Sequence, residues 1–221
     1  MKGSPAVALA ENRIYLASRS PRRAELLKQI GVNFEPLLLR EALSRQADVD
    51  ETRLVNEAPA DYVHRIAQTK AEIGRMRLLQ RGLADLPVLA ADTAVAVNGH
   101  IFGKPENPTH AEEMLRVLSG RTHQVLTAVA MATENGTRIR TSTSMVRFRD
   151  LREREIQSYL SGNEAHDKAG GYAIQGIAAV FIPEISGSYS GVMGLPLFET
   201  AQLLEKSGIT IFLNLRKPAF S

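Results

Sequence analysis

The run of residues 16–27, LASRSPRRAELL, constrains the fold more than any other stretch, because it predicts a strand that ends where a helix begins. Ile14 and its neighbours form a short apolar run before it, as in a buried strand. Ser20 can act as the N-cap, and Pro21 suits the first helical position, where a missing N–H costs nothing. Gly31 is then the expected end of this first helix.

The first turn of this helix carries two adjacent cations, Arg22 and Arg23. A helix N-terminus already bears about half a positive charge, so cations are disfavoured there unless an anion is bound. Backbone N–H groups, the helix dipole and two guanidinium groups together would bind phosphate or polyphosphate. The alternative is a solvated surface pair whose mutual repulsion is reduced by Glu25. This stretch alone leaves both interpretations open.

The composition narrows the class of protein. The chain has 221 residues, is 44% hydrophobic and has a net charge of +3, as expected of a globular protein with a substantial core. It contains no cysteine, which excludes disulfides and cysteine-based catalysis or metal binding and fits a cytoplasmic protein. No apolar run approaches the roughly 20 residues of a membrane span. The dispersed charge and the 5% aromatic content argue against nucleic-acid binding. We expect residues 1–12 to form a frayed N-terminal extension, not a signal peptide.

Hydrophobic periodicity and turn signals predict the element order β-α-β-α-β-β-α-β-β-α-β-α-β. Strands are expected at residues 13–17, 32–39, 88–97, 101–105, 123–133, 137–148, 178–185 and 209–213. After the first helix, further helices are expected at residues 60–81, 109–118, 152–160 and 195–206, with loops at residues 40–57 and 187–194. This order indicates a mixed α/β (α+β) fold with hairpins and not a doubly wound parallel sheet.

Three charged residues are notable for their surroundings. Asp92 lies within the apolar strand VLAADTAVAV, where a buried carboxylate needs a cation, a metal or a ligand; capping of a nearby turn is the alternative. Lys104 stands between a glycine and a proline, on a stiff and exposed bend. Lys70 follows Ile66 by four residues on the second helix, beside the apolar face, where a lysine usually only extends its amine to solvent.

The segment KAGGYAIQG, residues 168–176, has three glycines, which indicate close backbone approach or unusual dihedral angles; a simple glycine turn is the alternative. Within it, Gln175 offers both a donor and an acceptor, which suits the edge of a nucleotide base. His123 lies near a strand start, and a structural hydrogen bond is the preferred interpretation.

Six motifs in order now identify a resemblance: SRSPRRAELL, AADT, FGKP, LSGRTHQVLTAVA, DKAGGYAIQG and GSYSGVMGLPLFET. Together they resemble the Maf family of nucleoside triphosphate pyrophosphatases over residues 14–204. KAGGYAIQG resembles the branch that acts on dTTP and UTP. The branch that acts on 7-methyl-GTP is expected to have a glutamate-containing variant there.

The resemblance implies an elongated mixed α/β fold related to the inosine triphosphatase group, with a central mixed sheet and a cleft between two lobes. The family domain would span residues 13–214. The implied reaction is hydrolysis of the α–β bond of a nucleoside triphosphate to the monophosphate and pyrophosphate. A divalent metal, Mg²⁺ or Mn²⁺, and a homodimer are also implied.

The site residues carry over by motif. The catalytic positions fall on Asp92, Lys70 and Lys104, the phosphate-binding positions on Ser18, Arg22 and Arg23, and those for nucleotide choice on Arg22, Thr93 and Gln175. Asp92 and Glu51 are the carboxylates expected to bind the metal, and whether Asp92 accepts a proton instead is left open. Arg19 departs from the family pattern, and residues 37–47 fit it poorly.

Two alternatives remain at this point. One is a pyrophosphatase of the 7-methyl-GTP branch. The other is a nucleotide-binding regulator of cell division or septum formation whose catalysis is incidental.

Overall fold

Seven strands make up a single mixed sheet in the computed structural model, which describes residues 12–40, 47–162, 164–166 and 168–211. The strands are β1 (Arg13–Leu16), β2 (Asn33–Pro36), β3 (Val88–Val97), β4 (His100–Phe102), β5 (Thr122–Thr133), β6 (Gly136–Arg147) and β7 (Glu184–Ser186). They are ordered β2-β1-β3-β5-β6-β7, with β4 also paired to β3. Only the β2–β1 and β1–β3 pairs are parallel, so the prediction of a mixed sheet is confirmed.

The helices cover both faces of this sheet. They are α1 (Pro21–Gln29), α2 (Pro59–Gln80), α3 (Pro108–Leu118), α4 (Glu153–Leu160), α5 (Tyr189–Met193) and α6 (Leu197–Lys206), with 3₁₀ turns at Ala169–Gly171 and Ile177–Phe181. Strand side chains alternate between faces. The long α2 packs on the face that carries Ala90, Ala128 and Ala130. Helices α1 and α6 pack on the opposite face, which carries Leu89 and Val129.

Two predicted elements near the C-terminal part of the chain are wrong. The strand expected at residues 178–185 is a 3₁₀ turn, Ile177–Phe181, followed by the short β7, because a brief apolar run does not distinguish a strand from a helical turn. The loop expected at residues 187–194 contains α5. The Ser188 side chain accepts a hydrogen bond from the Gly191 N–H at the N-terminus of α5, and Gly194 ends this helix with a φ of 113°.

The ends of the domain also differ from expectation. Asn12, expected to belong to a frayed extension, is buried, and its side chain bonds both the N–H and the C=O of Thr210 at 2.7 and 2.8 Å. No strand forms at residues 209–211, since this side chain supplies the partners of Thr210. The other residues of the predicted extension, 1–11, lie outside the described residues. So do the last residues of the predicted final strand and the predicted end of the domain, from residue 212 onward.

Candidate active site

A gap in strand pairing positions the site. The start of β3 pairs with β1 up to Leu89, and its end pairs with β4 from Val95. Asp92 and Thr93 lie between these two pairings, at the point where β1 ends and the chain turns into α1. In open α/β sheets, ligands bind in the crevice at the carboxyl ends of the strands, where the chain segments that follow two neighbouring strands lead to opposite sides of the sheet. The gap therefore gives side chains from both faces of the sheet access to one space.

Asp92 is paired with a cation on the α2 side. Its Oδ1 lies 2.8 Å from Nζ of Lys70, and the same ammonium lies 2.7 Å from Oε1 of Glu51. The Asp92 side chain is buried, whereas that of Glu51 is about half exposed. The carboxylate of Asp92, which was predicted to need a partner, is thus paired with a cation. That cation is Lys70, which was predicted to lie beside the apolar face of its helix.

Close packing of α2 on the sheet brings Lys70 to Asp92. Gly74, one turn further along α2, lies so near the sheet that a Cβ added there would be 2.9 Å from Val88 and 3.3 Å from Ala17. Ala67 and Ala71 are fully buried on the same helix face. Small side chains at the helix–sheet contact therefore shorten the distance that Lys70 must span.

Ion pairs hold the segment that carries Glu51. On one side, the almost fully buried Asp48 carboxylate binds Arg40 at 3.0 Å and Arg77 of α2 at 2.5 Å. On the other, Glu57 receives two hydrogen bonds from Arg65 of α2, at 2.6 and 2.8 Å. Between these anchors, the Tyr62 hydroxyl of α2 donates to the Glu51 carbonyl at 3.2 Å.

Arg23 reaches the site from the opposite face. Its Nε donates to the Gly194 carbonyl at 2.8 Å, and its two terminal nitrogens donate to Thr93 Oγ1 at 3.2 Å and Ser18 Oγ at 3.4 Å. Thr127, opposite Thr93 on β5, donates to the Gly191 carbonyl at 2.7 Å. Because that bond uses the only Thr127 hydroxyl proton, Thr93 must donate to Thr127, at 3.0 Å, and accept from Arg23.

The start of α1 corrects one detail of the prediction. Ser20 has the backbone geometry of an N-cap, but its side chain makes no capping hydrogen bond. Instead the Ser18 side chain accepts the Ser20 N–H at 3.1 Å. Pro21 is the first helical residue as expected, and the N–H groups of a first helical turn have no partner within the helix.

Burial shifts the ionisation of the two central charged groups in opposite directions. Desolvation raises the pKa of Asp92, and the Lys70 and Arg23 charges oppose this rise. Desolvation also lowers the pKa of the Arg23 guanidinium, which Asp92 opposes. Each group therefore makes the charged form of the other easier to bury.

The second end of the site is formed by the turn that begins at Lys168. Gly170 and Gly171 both have a φ of +71°, and a Cβ on Gly170 would lie 3.0 Å from Val95 of β3. The Gly170 N–H donates to the Gly103 carbonyl at 3.0 Å, which joins this turn to the bend that carries the exposed Lys104. The predicted unusual dihedral angles and close backbone approach are confirmed.

Glu164 was not predicted, yet it holds the turn next to Gln175. Its carboxylate accepts the N–H groups of Ile177 at 2.9 Å and Ala178 at 3.2 Å, and the Tyr159 hydroxyl at 3.0 Å. A single glutamate in a polar segment carries no sequence signal of such a role. Thr127 also escaped prediction, since its role depends on strand register.

His123 has the structural role that was predicted. Its Nε2 and the Tyr172 hydroxyl are 2.7 Å apart, and its ring packs edge-on against Phe148 and Tyr172. Burial lowers the pKa of His123 to about 4, so the ring is neutral near pH 7. Tyr172 is part of KAGGYAIQG, so this buried contact helps to hold the glycine-rich turn in place.

All nine predicted site residues line one cavity of about 1020 Å³. They are Ser18, Arg22, Arg23, Glu51, Lys70, Asp92, Thr93, Lys104 and Gln175. Glu164, Tyr62 and Tyr172 line it as well, and so does Arg19, whose guanidinium donates to the Leu39 carbonyl at 3.1 Å. Residues from distant parts of the chain thus converge on a single space, in which Arg23, Lys70 and Asp92 form one part of the lining and the glycine-rich turn forms another.

The chemistry of the carboxylates is compatible with a divalent metal. Among the described residues, no cluster of three or more acidic, histidine or cysteine side chains is arranged to hold a metal ion unaided. Asp92 and Glu51 do lie close enough to share one ammonium. Mg²⁺ is usually bound by one or two carboxylates together with water and substrate phosphates, so this pair fits such an ion.

Comparison with known proteins identifies the family to which the chain belongs. The family described as "Maf-like protein" matches residues 13–207. A Nitrosospira multiformis protein named dTTP/UTP pyrophosphatase is 68% identical over 93% of this chain and 100% of its own length. One of the same name from Nitrosomonas europaea is 64% identical over 92% of this chain and 98% of its own length.

Two further observations complete the comparison. A solved structure of the Staphylococcus aureus Ham1 protein aligns with a TM-score of 0.43 and 19% identity, over 62% of this chain and 71% of that one. In the described part of the chain, every helix is too short or too polar to traverse a bilayer. The match over most of its length and the close relatives establish that the chain belongs to the Maf family.

Proposed function

We propose that this protein hydrolyses dTTP and UTP to the nucleoside monophosphate and pyrophosphate. The observation that carries the proposal is the convergence of Arg22, Arg23, Lys70 and Lys104 with Asp92 on one cavity. The names of the close relatives support the same activity and the same substrates.

The charged end suits a triphosphate. Such a substrate carries about four negative charges at neutral pH, and preorganised cations in a partly desolvated site stabilise the charge that develops during phosphoryl transfer. Arg23 is held rigidly by Gly194, Thr93 and Ser18, so it pays little to order its side chain on binding. We assign the phosphates to Ser18, Arg22 and Arg23, together with Lys104, which is exposed and lines the same cavity.

We assign Asp92 and Lys70 to the activation of the reacting water. In the proposed reaction, water attacks the α-phosphorus, the bond from this phosphorus to the bridging oxygen breaks, and pyrophosphate leaves. Asp92 accepts the water proton, for which its raised pKa is suited. Lys70 holds the Asp92 carboxylate in place and donates hydrogen bonds to phosphate oxygens. A divalent metal bound by Asp92 and Glu51 would supply Lewis-acid stabilisation of the phosphate charge.

The glycine-rich end suits the base. Gln175 is exposed and lines the cavity, and its amide can donate to O4 and accept from N3–H of thymine or uracil. Thr93, expected to take part in nucleotide choice, has its hydroxyl engaged by Arg23 and Thr127, so we assign it to positioning Arg23. The homodimer and the cytoplasmic location stay predictions.

The test is pyrophosphate release from dTTP, UTP, CTP, ATP, GTP and 7-methyl-GTP, each with Mg²⁺, with Mn²⁺ and with excess chelator. We expect kcat/KM to be greatest for dTTP and UTP, with loss of turnover in chelator. Preference for 7-methyl-GTP would assign the chain to the other branch. Nucleotide binding without turnover of any substrate would favour a regulator.

A further inference from the structure

The Glu164 carboxylate organises the turn that follows Gln175. Its Oε2 accepts the Ile177 N–H, and its Oε1 accepts both the Ala178 N–H and the Tyr159 hydroxyl. Burial and the nearby Glu164 charge raise the pKa of Tyr159, which keeps the phenol protonated as a donor. Three donors thus converge on one carboxylate at the start of a 3₁₀ turn.

The turn is also in direct contact with the carboxylate. A Cβ added to Gly176 would lie 2.1 to 2.5 Å from the two oxygens and the carboxyl carbon of Glu164. Gly176 is the residue between Gln175 and the first N–H that Glu164 accepts. The main chain on the C-terminal side of Gln175 therefore has little freedom while Glu164 keeps these bonds.

We propose that Glu164 is a positioning residue for nucleotide choice, which sets the direction of the Gln175 side chain toward the pyrimidine edge. This inference rests on the proposed function. An amide at position 164 could not replace the carboxylate, because its NH₂ group would face one of the two backbone donors. The effect on substrates would reach the base through Gln175 and would leave the phosphate contacts of Arg23 and Lys70 unchanged.

The test compares Glu164→Gln with the wild type on dTTP, UTP, ATP and GTP. We expect the ratio of kcat/KM for dTTP to that for GTP to fall about tenfold, mostly through a higher KM for dTTP, as for loss of a charged hydrogen-bond acceptor. Glu155→Gln is the matched control, since Glu155 also accepts a backbone N–H, from Arg152 at 2.9 Å, and does not line the cavity. Its ratio should equal that of the wild type.

A second variant separates positioning from direct contact and replaces Glu164→Gln if that protein does not fold. Tyr159 does not line the cavity, and its hydroxyl contacts Glu164 and the Ala173 backbone, so Tyr159→Phe acts on nucleotides through the turn and not by direct contact. We expect a fall of about two- to fivefold in the same ratio. An unchanged ratio in the folded variants, or an equal loss for every nucleotide, overturns the inference. A wild type that does not prefer dTTP and UTP would instead overturn the proposed function, before any variant is made.

Discussion

The two ends of the cavity are built by different means. At the phosphate end, defined by Arg23, Lys70 and Asp92, charged side chains on regular elements hold one another through ion pairs and hydrogen bonds. At the base end, defined by Gln175 and the glycine turn, main-chain groups are held by Glu164 and by contacts with β3. A change at the phosphate end should therefore affect every nucleotide equally, whereas a change at the base end should affect the choice among them.

The largest expected effect is at Asp92. Asp92→Asn removes the proton acceptor and one metal-binding carboxylate, so kcat should fall on the order of 10²- to 10⁴-fold for all nucleotides. The fold should persist, because an amide at this position keeps a hydrogen-bond acceptor for Lys70, and Lys70 keeps its contact with Glu51. Pyrophosphate release, nucleotide binding and thermal unfolding check this expectation. Turnover like that of the wild type would reject the assigned role.

A smaller and selective effect is expected at Gln175. Gln175→Glu places a carboxylate against the O4 acceptor of the pyrimidine, which should lower kcat/KM for dTTP and UTP by about 10- to 100-fold. Activity on purine nucleotides should change much less. The same substrate series measures both quantities. Retention of the pyrimidine preference would show that another group recognises the base.

A substitution at Thr127 tests the phosphate end without removing a charged side chain. Thr127→Val keeps the volume but leaves the Gly191 carbonyl without its donor and Thr93 without its acceptor. We expect a loss of about 1–3 kcal/mol in the free energy of unfolding and a loss of severalfold in kcat/KM that is equal for dTTP and GTP. Denaturant titration and steady-state kinetics measure these, with Thr143→Val on the exposed side of β6 as control. A loss confined to dTTP would assign Thr93 to the base after all.

The smallest effect on activity is expected at His123. Its pKa is about 4 in the folded protein and about 6.5 when exposed, so the unfolded state binds more protons between these values. The free energy of unfolding should be highest above about pH 6.5 and should fall by up to about 3 kcal/mol as the pH drops to about 4.

His123→Gln should flatten this slope and leave activity near pH 7 within about twofold, because the amide can still bond the Tyr172 hydroxyl. Denaturant unfolding at several pH values makes the comparison. A large loss of turnover with an unchanged slope would indicate a catalytic role for His123 instead.

Local patterns predicted most of the secondary structure, and the misses have physical causes. The bounds of β3 were predicted correctly, because a ten-residue apolar run that ends at Asn98-Gly99 permits few alternatives. The segment around Ala178 was wrong, since a short apolar stretch fits a strand or a 3₁₀ turn equally well. The loop around Gly191 was wrong because its glycines concealed a capped helix of one turn.

The sequence by itself determined which side chains have the chemistry of the site. A cation pair at a helix start, a carboxylate inside an apolar strand and an amide among glycines are each unfavourable locally, and such residues need a ligand or a partner. Only the tertiary structure decided which partners they have: Lys70 for Asp92, Thr127 for Thr93 and Glu164 for the turn beside Gln175. These contacts join residues that are 13 to 34 positions apart in the chain, and no local pattern contains that information.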